Sequence, residues 1–212
     1  MRALDLFCGA GGATRGLQMA GYHVTGVDIR WQPHYIGDRF LLADAMEIDP
    51  AGYDLIWASP PCQLWSELTP TERRRNHVDL IAPIRERLLA TATPWIIENV
   101  AGAIAQLRSP TMLCGTMFGM NIWRHRWFEI GNCDLFFLLP PCNHGEPPII
   151  ISGQGSRIID GKRMGRIPLP IKSAAIGIDW MNREEMSQAI PPAYSRFLAE
   201  RIQEACEVDS ES

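Results

Sequence analysis

Two side chains with useful chemistry follow apolar segments that have the composition of buried strands. Cys62 lies in the run Ala-Ser-Pro-Pro-Cys-Gln just after residues 55–57, and Glu98 directly follows residues 95–97. In an open parallel sheet the carboxyl ends of the strands border the ligand crevice, so side chains there converge although they are distant in sequence. A single cysteine is more often an inert apolar residue. Together, however, the thiol and the carboxylate indicate one active site with a nucleophile and an acid.

The chain begins with an apolar segment that runs into a glycine-rich turn, residues 4–12, before a helix that begins near Ala13. Such a turn lets a ligand approach the backbone amides closely. Asp28 ends a second apolar segment and Asp44 ends a third. An acid after the second strand commonly binds ribose hydroxyls in nucleotide-binding folds. The turn alone could be no more than a tight turn, but the three features in this order predict a nucleoside cofactor.

Strand and helix patterns alternate along the chain, which predicts an α/β fold with a doubly wound, mostly parallel sheet covered by helices on both faces. The last helix, from Pro192, has apolar residues at helical spacing, as expected for core packing. The predicted strands span residues 2–7, 22–27, 39–43, 54–58, 95–98 and 125–130, and the predicted helices span residues 12–20, 77–91 and 192–206.

Several motifs resemble, in order and approximate spacing, those of the cytosine C5 DNA methyltransferases that use S-adenosylmethionine, of the compact phage or bacterial type. Residues 5–12 resemble the first motif of that family, and Pro-Pro-Cys-Gln at residues 60–63 resembles its nucleophile motif. Glu-Asn-Val at residues 98–100 resembles the cytosine-binding motif, residues 124–126 the paired-arginine motif, and residues 188–192 the last motif before the closing helix. The resemblance implies the Rossmann-like fold of S-adenosylmethionine-dependent methyltransferases.

The resemblance also implies covalent catalysis on a cytosine ring. Ring carbon C5 is a poor nucleophile, and a Cys62 thiolate added at C6 turns it into an enamine-like carbon that attacks a sulfonium methyl group. Glu98, in the motif that includes Asn99, would bind N3 and the exocyclic amine and relieve the developing charge. Arg126 would contact the ring carbonyl, and Arg124 would orient neighbours or a phosphate. A strand end close to these arginines would lower the thiol pKa.

By the same resemblance, S-adenosylmethionine would lie along the glycine turn and the acids that follow it. Gln188 stands where the family usually has Asn, near the methionine end of the cofactor. A carboxylated analogue of S-adenosylmethionine therefore stays open as an alternative donor. The expected cofactor-binding residues are Asp5, Phe7, Cys8, Gly9, Gly11, Gly12, Asp28, Ile29, Asp44, Ala45, Pro60, Gln188 and Ala189.

A cytosine inside duplex DNA cannot present C6 to a thiol, so the resemblance implies that the target base rotates out of the helix into the pocket. The basic segment 64–75 would contact DNA, although a solvated basic turn that opens the next helix explains it nearly as well. Residues 131–170 occupy the place of the family's target-recognition domain, and their small number predicts short or low sequence specificity. The expected DNA-binding residues are Gln63, Ser66, Arg73, Arg74, Arg75, Arg157, Lys162, Arg163 and Arg166.

The length of 212 residues predicts one main domain with a small appendage. We divide it into a catalytic core (residues 1–130), a reduced target-recognition segment (residues 131–170) and a C-terminal part of the core with the closing helix (residues 171–212). A net charge of -4 means that any DNA-binding face must be local. Cysteines without a disulfide framework and the lack of a long apolar run predict a cytoplasmic protein of a bacterium or phage-infected host.

No metal site is predicted, because Cys133, Cys142 and His144 have neither the spacing of a metal knuckle nor a fourth ligand. We interpret these residues as ordinary apolar cysteines and a surface histidine.

Rival functions are methylation of a free cytosine nucleotide, a non-catalytic DNA-binding protein on a methyltransferase scaffold, and methylation of an exocyclic amine. The last is disfavoured, because such enzymes usually have an aromatic residue after Pro-Pro, where this chain has Cys62. Duplex DNA is the expected substrate and no membrane is expected. A homodimer and a partner restriction endonuclease stay open, as does the setting, whether phage DNA protection or restriction-modification.

Overall fold

The computed structural model describes most of the chain. At 156–159, 162–166 and 208–210 we describe the backbone alone. The described residues are 1–66, 69–74, 76–135, 137–145, 147–152, 156–159 and 162–210.

A seven-stranded sheet forms the centre of the fold. Its strands are β1 (Arg2–Leu6), β2 (His23–Asp28), β3 (Arg39–Leu42), β4 (Leu55–Ala58), β5 (Trp95–Asn99), β6 (Thr111–Leu113) and β7 (Arg126–Gly131). They lie in the order β3-β2-β1-β4-β5-β7-β6. The pairs from β3 to β5 are parallel, whereas β7 runs antiparallel to both β5 and β6. The prediction of an α/β fold with a mostly parallel sheet is therefore confirmed.

Helices connect the strands and cover the sheet. Two short 3₁₀ helices, Ala101–Gln106 and Gly115–Phe118, follow β5 and β6. A separate antiparallel hairpin is formed by β8 (Ser156–Ile159) and β9 (Lys162–Arg166). The α-helices are α1 (Gly12–Met19), α2 (Thr71–Arg74), α3 (Ile81–Leu89), α4 (Leu169–Ile176), α5 (Arg183–Gln188) and α6 (Pro192–Ser210). No helix among the described residues has the length and apolarity to cross a membrane.

Strand β4 lies in the middle of the sheet, and all four of its side chains are fully buried. Successive side chains of a strand point to opposite faces, so Trp57 packs with Tyr194 and Leu198 of α6, while Ile56 packs with Ile84 of α3. The two hydrophobic layers together hold the carboxyl ends of β4 and β5 in place.

The closing helix α6 packs directly against α1. Gly16 of α1 has no room for a side chain, because a Cβ atom there would overlap the Pro192 carbonyl and the Ser195 hydroxyl. The hydroxyl of Ser195 donates a hydrogen bond to the Ala13 carbonyl at 2.9 Å. The helix that follows the last motif is thereby fixed beside the glycine turn.

The elements differ from the sequence prediction in several places. The helix predicted over residues 77–91 begins only at Ile81, and Pro83 lies in its first turn, where a missing N–H is tolerated. Strand β6, helices α2, α4 and α5, and the β8–β9 hairpin were not predicted. These elements are short, so their periodicity gives a weak signal.

Candidate active site

The candidate site lies at the edge of the sheet that the carboxyl ends of its parallel strands form, where β4 and β5 end and β7 begins. Because β7 runs antiparallel to β5, Glu98 lies opposite Phe128, and Arg126 is two residues from that position. The loop after β4 brings Cys62 to the same edge. A cleft of about 560 Å³ is lined by Cys62, Arg124 and Arg126, among other residues. The structure therefore brings the predicted nucleophile, acid and arginines together.

Glu98 and Arg126 form an ion pair inside the site. The Arg126 Nε atom lies 2.9 Å from Glu98 Oε1, and both side chains are largely buried. The two groups are not aligned as a hydrogen bond, so this buried oxygen has no hydrogen-bond donor among the described residues. Burial raises the pKa of Glu98, and the charges of Arg126 and Arg124 oppose that shift. The carboxyl group thus favours holding a proton more than an exposed glutamate does.

The Cys62 thiol is half-buried at the cleft. Burial raises its pKa, the charge of Glu98 adds to the increase, and Arg126 and Arg124 oppose it. The expectation of a lowered Cys62 pKa is wrong for the protein without substrate, because loss of hydration and the neighbouring Glu98 carboxylate outweigh the two arginines.

Arg124 connects β7 to the last motif. It is buried, its Nε donates to the Ala189 carbonyl at 2.9 Å, and its Nη2 donates to the Ser187 carbonyl at 2.8 Å. Its own carbonyl accepts a 2.6 Å hydrogen bond from the Tyr194 hydroxyl. Burial, together with Arg126, lowers the pKa of Arg124 to about 9. The two bonds from the guanidinium hold the backbone of Ser187 and Ala189 near the start of β7.

Asn99 is fully buried at the end of β5. Its Nδ2 donates to the Pro60 carbonyl at 3.1 Å, and its Oδ1 accepts from the Val100 amide at 2.9 Å. The side chain therefore fixes the loop that positions Cys62 relative to Glu98.

The glycine turn forms an open shelf beside Asp28. Gly9 and Gly11 have positive φ angles of 50° and 89°, and a Cβ atom on Gly9 would meet no atom within 4 Å. Asp28 accepts hydrogen bonds from the amides of Gly9 (3.1 Å) and Arg30 (2.9 Å). The neighbouring Ile29 side chain is 69% exposed. The shelf offers space, a carboxylate and an apolar surface, as a nucleoside requires.

Several other predicted cofactor residues have structural roles. Gly12 packs against the last motif, because a Cβ atom there would lie 2.6 Å from the Ile190 carbonyl. Asp44 follows β3, and its Oδ1 accepts from the Met46 amide at 2.8 Å. Gln188 lines the cleft that contains Cys62. Phe7 has a positive φ of 61° and is partly buried, whereas three other residues are buried: Cys8, Ala45 and Pro60.

Asp5 is a buried carboxyl at the start of the shelf. One oxygen accepts a hydrogen bond from the Thr14 hydroxyl, and the other, Oδ1, has no hydrogen-bond donor among the described residues. Burial raises the pKa of Asp5 to about 7, although bonds from Thr14 oppose the shift.

The predicted DNA contacts are only partly described. Gln63 and Ser66 line the cleft, and the Oε1 atom of Gln63 is buried without a hydrogen bond from the described residues. Arg73 is exposed on α2, whereas the Nε of Arg74 donates to the Thr69 carbonyl at 3.0 Å. Arg75 lies outside the described residues. For the hairpin residues only the backbone is described: Arg157, Lys162, Arg163 and Arg166.

Sequence reasoning missed two groups that contact the candidate catalytic residues. The Ser59 hydroxyl accepts a 2.9 Å hydrogen bond from Trp57 Nε1. It also forms a hydrogen bond with the Glu98 carboxyl, and this bond lowers the pKa of Glu98. The Tyr194 hydroxyl binds the Arg124 carbonyl. A hydroxyl at a strand exit was a usable signal for Ser59, whereas Tyr194 looks like any core residue of a helix.

The structure also brings together four ligand-type residues, two of which, Cys114 and His125, the sequence reasoning did not consider as ligands. Cys142 and His144 lie with Cys114 and His125, and one ligand atom of each is within 4.8 Å of the others. Cys133, which was considered with Cys142 and His144, is not part of this cluster.

Comparisons with solved structures support the fold class. A protein encoded within an E. coli prophage and described as a DNA modification methyltransferase has a TM-score of 0.61 at 14% identity, over 98% of this chain and 99% of its own. The Entamoeba histolytica methyltransferase EhMeth has a TM-score of 0.58 at 10% identity, over 96% and 98%. At these identities the likeness shows the α/β fold of methyltransferases alone.

Sequence comparison identifies the family. The sequence model described as C-5 cytosine-specific DNA methylase matches residues 1–114, and the chain belongs to this family. Enzymes of this class use S-adenosylmethionine, and the shelf at Gly9 and Asp28 has the space and polarity for that cofactor.

Two curated relatives come from Herpetosiphon aurantiacus. Type II methyltransferase M.HgiGI is 29% identical over 118 residues, which are 49% of this chain and 93% of the relative. Type II methyltransferase M.HgiDI is 28% identical over 121 residues, which are 49% of this chain but only 38% of that longer relative.

Proposed function

We propose that the chain transfers a methyl group from S-adenosylmethionine to C5 of a cytosine in DNA, through a covalent bond between Cys62 and C6. The observation that supports this most strongly is that Cys62 and Arg126 line one cleft and that Glu98 is paired with Arg126 there. A thiol, a carboxyl whose pKa is raised and a guanidinium are the groups that addition to a cytosine ring requires.

Cys62 acts as the nucleophile. Its thiol loses a proton, the sulfur forms a bond to C6, and the electron pair of the C5–C6 double bond becomes available at C5. After C5 has gained the methyl group, a base removes the C5 proton, and the electrons of that C–H bond restore the double bond as the sulfur leaves. Burial and the charge of Glu98 raise the pKa of Cys62, and the two arginines lower it. We therefore expect the thiolate to form when a bound substrate changes these interactions.

Glu98 recognises the cytosine and stabilises the adduct. Its raised pKa allows the carboxyl to donate a proton or a hydrogen bond to N3, while the other oxygen accepts from the exocyclic amine. The buried Oε1 atom, which has no hydrogen-bond donor among the described residues, is available to accept the hydrogen bond from the exocyclic amine. A pyrimidine with a carbonyl at C4 would present the opposite hydrogen-bonding pattern, so the site favours cytosine.

Arg126 and Arg124 have different tasks. Arg126 lies against Glu98 at the cleft, where its guanidinium can bind the ring carbonyl. Arg124 is bonded to the carbonyls of Ser187 and Ala189, and so positions the last motif.

The cofactor supplies an electrophilic methyl group on a sulfonium. Asp28 would hold the ribose hydroxyls, and Ile29 would cover the adenine. The open space at Gly9 would let the cofactor approach the protein backbone closely. Gln188 extends into the cleft and would border the donor end of the cofactor.

We also propose that the target cytosine leaves the DNA helix to reach Cys62, because the thiol lies inside a cleft. The basic residues of segment 64–75 and of the β8–β9 hairpin would bind phosphates. The hairpin would belong to the reduced target-recognition segment, residues 131–170, and not to the catalytic core. Acting on DNA, the protein would work in the cytoplasm of a bacterium or of a phage-infected host.

Incubation with duplex DNA and isotope-labelled S-adenosylmethionine, followed by bisulfite sequencing, tests the proposal. We expect protected cytosines in a short sequence context, and no protection with Cys62→Ala. The matched control Cys206→Ala changes an exposed cysteine and should retain activity. Mass spectrometry of the digested DNA should show a gain of one methyl group. A larger gain would indicate a carboxylated donor, and label found only in an exocyclic amine would contradict ring-carbon transfer.

A further inference from the structure

A second cluster of reactive side chains lies beside the catalytic arginines and has no part in the proposed reaction. It consists of Cys114, His125, Cys142 and His144, which we call the Cys2His2 cluster. One ligand atom of each residue lies within 4.8 Å of all the others. Two thiols and two imidazoles, with no carboxylate among them, form the ligand set of structural zinc sites.

Strand pairing fixes two of the ligands. In the antiparallel pair β6–β7, Leu113 lies opposite Arg126. Continuing this register by one position places Cys114, just after β6, opposite His125, just before β7. These two ligands therefore project from the rigid edge of the sheet, and Cys114 is fully buried there.

The other two ligands come from a loop. Residues 137–145 contain no helix or strand, yet the loop places Cys142 and His144 against the sheet edge. The Nε2 atom of His144 lies 3.4 Å from the Cys114 sulfur. Zinc–sulfur and zinc–nitrogen bonds of about 2.3 and 2.0 Å at a tetrahedral angle put sulfur and nitrogen roughly 3.5 Å apart. This edge of the cluster already has the spacing of a zinc tetrahedron.

The surroundings provide the outer contacts that metal ligands need. The Thr116 hydroxyl lies 3.3 Å from the Cys114 sulfur and also accepts a 3.1 Å hydrogen bond from the Asn143 amide. The ring of Trp123 stacks on His144 with 4.4 Å between ring centres. By contrast, the Nε2 atom of His125 is buried and has no hydrogen-bond partner among the described residues. A bound cation would satisfy this nitrogen.

We propose that the Cys2His2 cluster binds one structural Zn²⁺ ion through two thiolates and two neutral imidazoles. On binding, the two thiols release their protons to solvent, so the site has no net charge. Four protein ligands leave no position for water, which makes the site structural. The ion would fasten the loop at residues 137–145 to the sheet, and residues 148–152, which follow this loop, line the same cleft as Cys62. Zinc would therefore shape the DNA side of the cleft.

The test uses the full chain, purified under reducing conditions without DNA or S-adenosylmethionine, so its result does not depend on the proposed methyl transfer. Elemental mass spectrometry should find about one zinc per chain. Cys142→Ser and His144→Asn, which change the loop ligands, should each lower Zn²⁺ affinity at least about 100-fold in competition with a chromophoric chelator. The matched controls Cys206→Ser and His23→Asn change exposed residues and should retain the metal.

A second measurement keeps the proposal testable if a variant folds poorly. Co²⁺ added to the chelator-treated wild-type chain should give the absorption of a tetrahedral site with thiolate ligands, and Zn²⁺ should abolish it and raise the melting temperature. The proposal is overturned if neither metal binds the wild-type chain, if both loop variants retain full zinc, if iron occupies the site instead, or if peptide mapping shows a Cys114–Cys142 disulfide.

Discussion

The reactivity of Cys62 depends on a balance of charges that its neighbours set. Burial and the Glu98 carboxylate raise the thiol pKa, while Arg126 and Arg124 lower it. In the protein without substrate these interactions favour the thiol form of Cys62 over the thiolate. An enzyme of this design would protect its cysteine from oxidation and alkylation between turnovers.

Glu98→Gln should lower the pKa of Cys62, because it removes the nearby negative charge and leaves Arg126 unpaired. Arg126→Gln should raise that pKa, because it removes a positive charge. Near neutral pH, alkylation of Cys62 by iodoacetamide should become about threefold to tenfold faster in the first variant and slower in the second. The measurement is the pH dependence of Cys62 alkylation by peptide mass spectrometry, with Cys206 in the same sample as the internal control. A pKa that moves in the same direction in both variants would refute the charge balance.

Asp5 should make the stability of the cofactor-free protein depend on pH. The folded chain holds a proton on this carboxyl up to about pH 7, whereas the unfolded chain releases it near the ordinary value of 3.8. The free energy of unfolding therefore falls as the pH rises from about 4 to 7. Asp5→Asn should remove this part of the dependence and stabilise the chain at pH 8 by about 1 to 3 kcal/mol.

Urea denaturation at pH 5 and at pH 8 provides the measurement for Asp5. The control is Asp134→Asn, which changes an exposed carboxyl and should leave the pH dependence unaltered. Equal stabilisation of the Asp5 variant at both pH values would show that the buried carboxyl does not titrate in this range.

At the scale of elements, the α1–α6 contact joins the first motif to the last. Gly16 permits this contact, since its α-carbon faces the backbone of α6. Gly12 permits a second close approach, to Ile190. Gly12 of the first motif and Gly16 of α1 therefore serve packing, whereas Gly9 leaves the shelf open.

Gly16→Ala should destabilise the chain by about 1 to 3 kcal/mol, although alanine is the better helix former. The added methyl group would overlap backbone atoms of α6, which cannot move without shifting the helix. Met19→Ala, on the exposed side of α1, is the matched control and should have little effect on stability. Thermal unfolding of both variants measures the difference, and a Gly16 variant as stable as the wild type would disprove the close contact.

Considering the whole molecule, the sequence predicted the elements with strong hydrophobic periodicity and the residues that lie in contiguous motifs. Strands β1 to β5, strand β7 and helix α6 produce clear patterns. Cys62 follows β4, Glu98 lies near the end of β5, and Arg126 begins β7. The sequence did not predict β6, which has three residues. Without β6 there was no reason to place Cys114 opposite His125, so the Cys2His2 cluster was missed. The raised pKa of Cys62 was missed because burial depends on tertiary packing.

The central claim is that the sulfur of Cys62 bonds to C6 of a cytosine in DNA. Duplex DNA containing 5-fluorocytosine tests it most directly, because fluorine at C5 cannot be removed as a proton and the adduct is trapped after methyl transfer. With S-adenosylmethionine present, we expect a stable protein–DNA complex whose peptide map places the modified nucleotide on Cys62, and none with Cys62→Ser. Normal methylation of ordinary DNA by Cys62→Ser, or an adduct on another residue, would contradict the account.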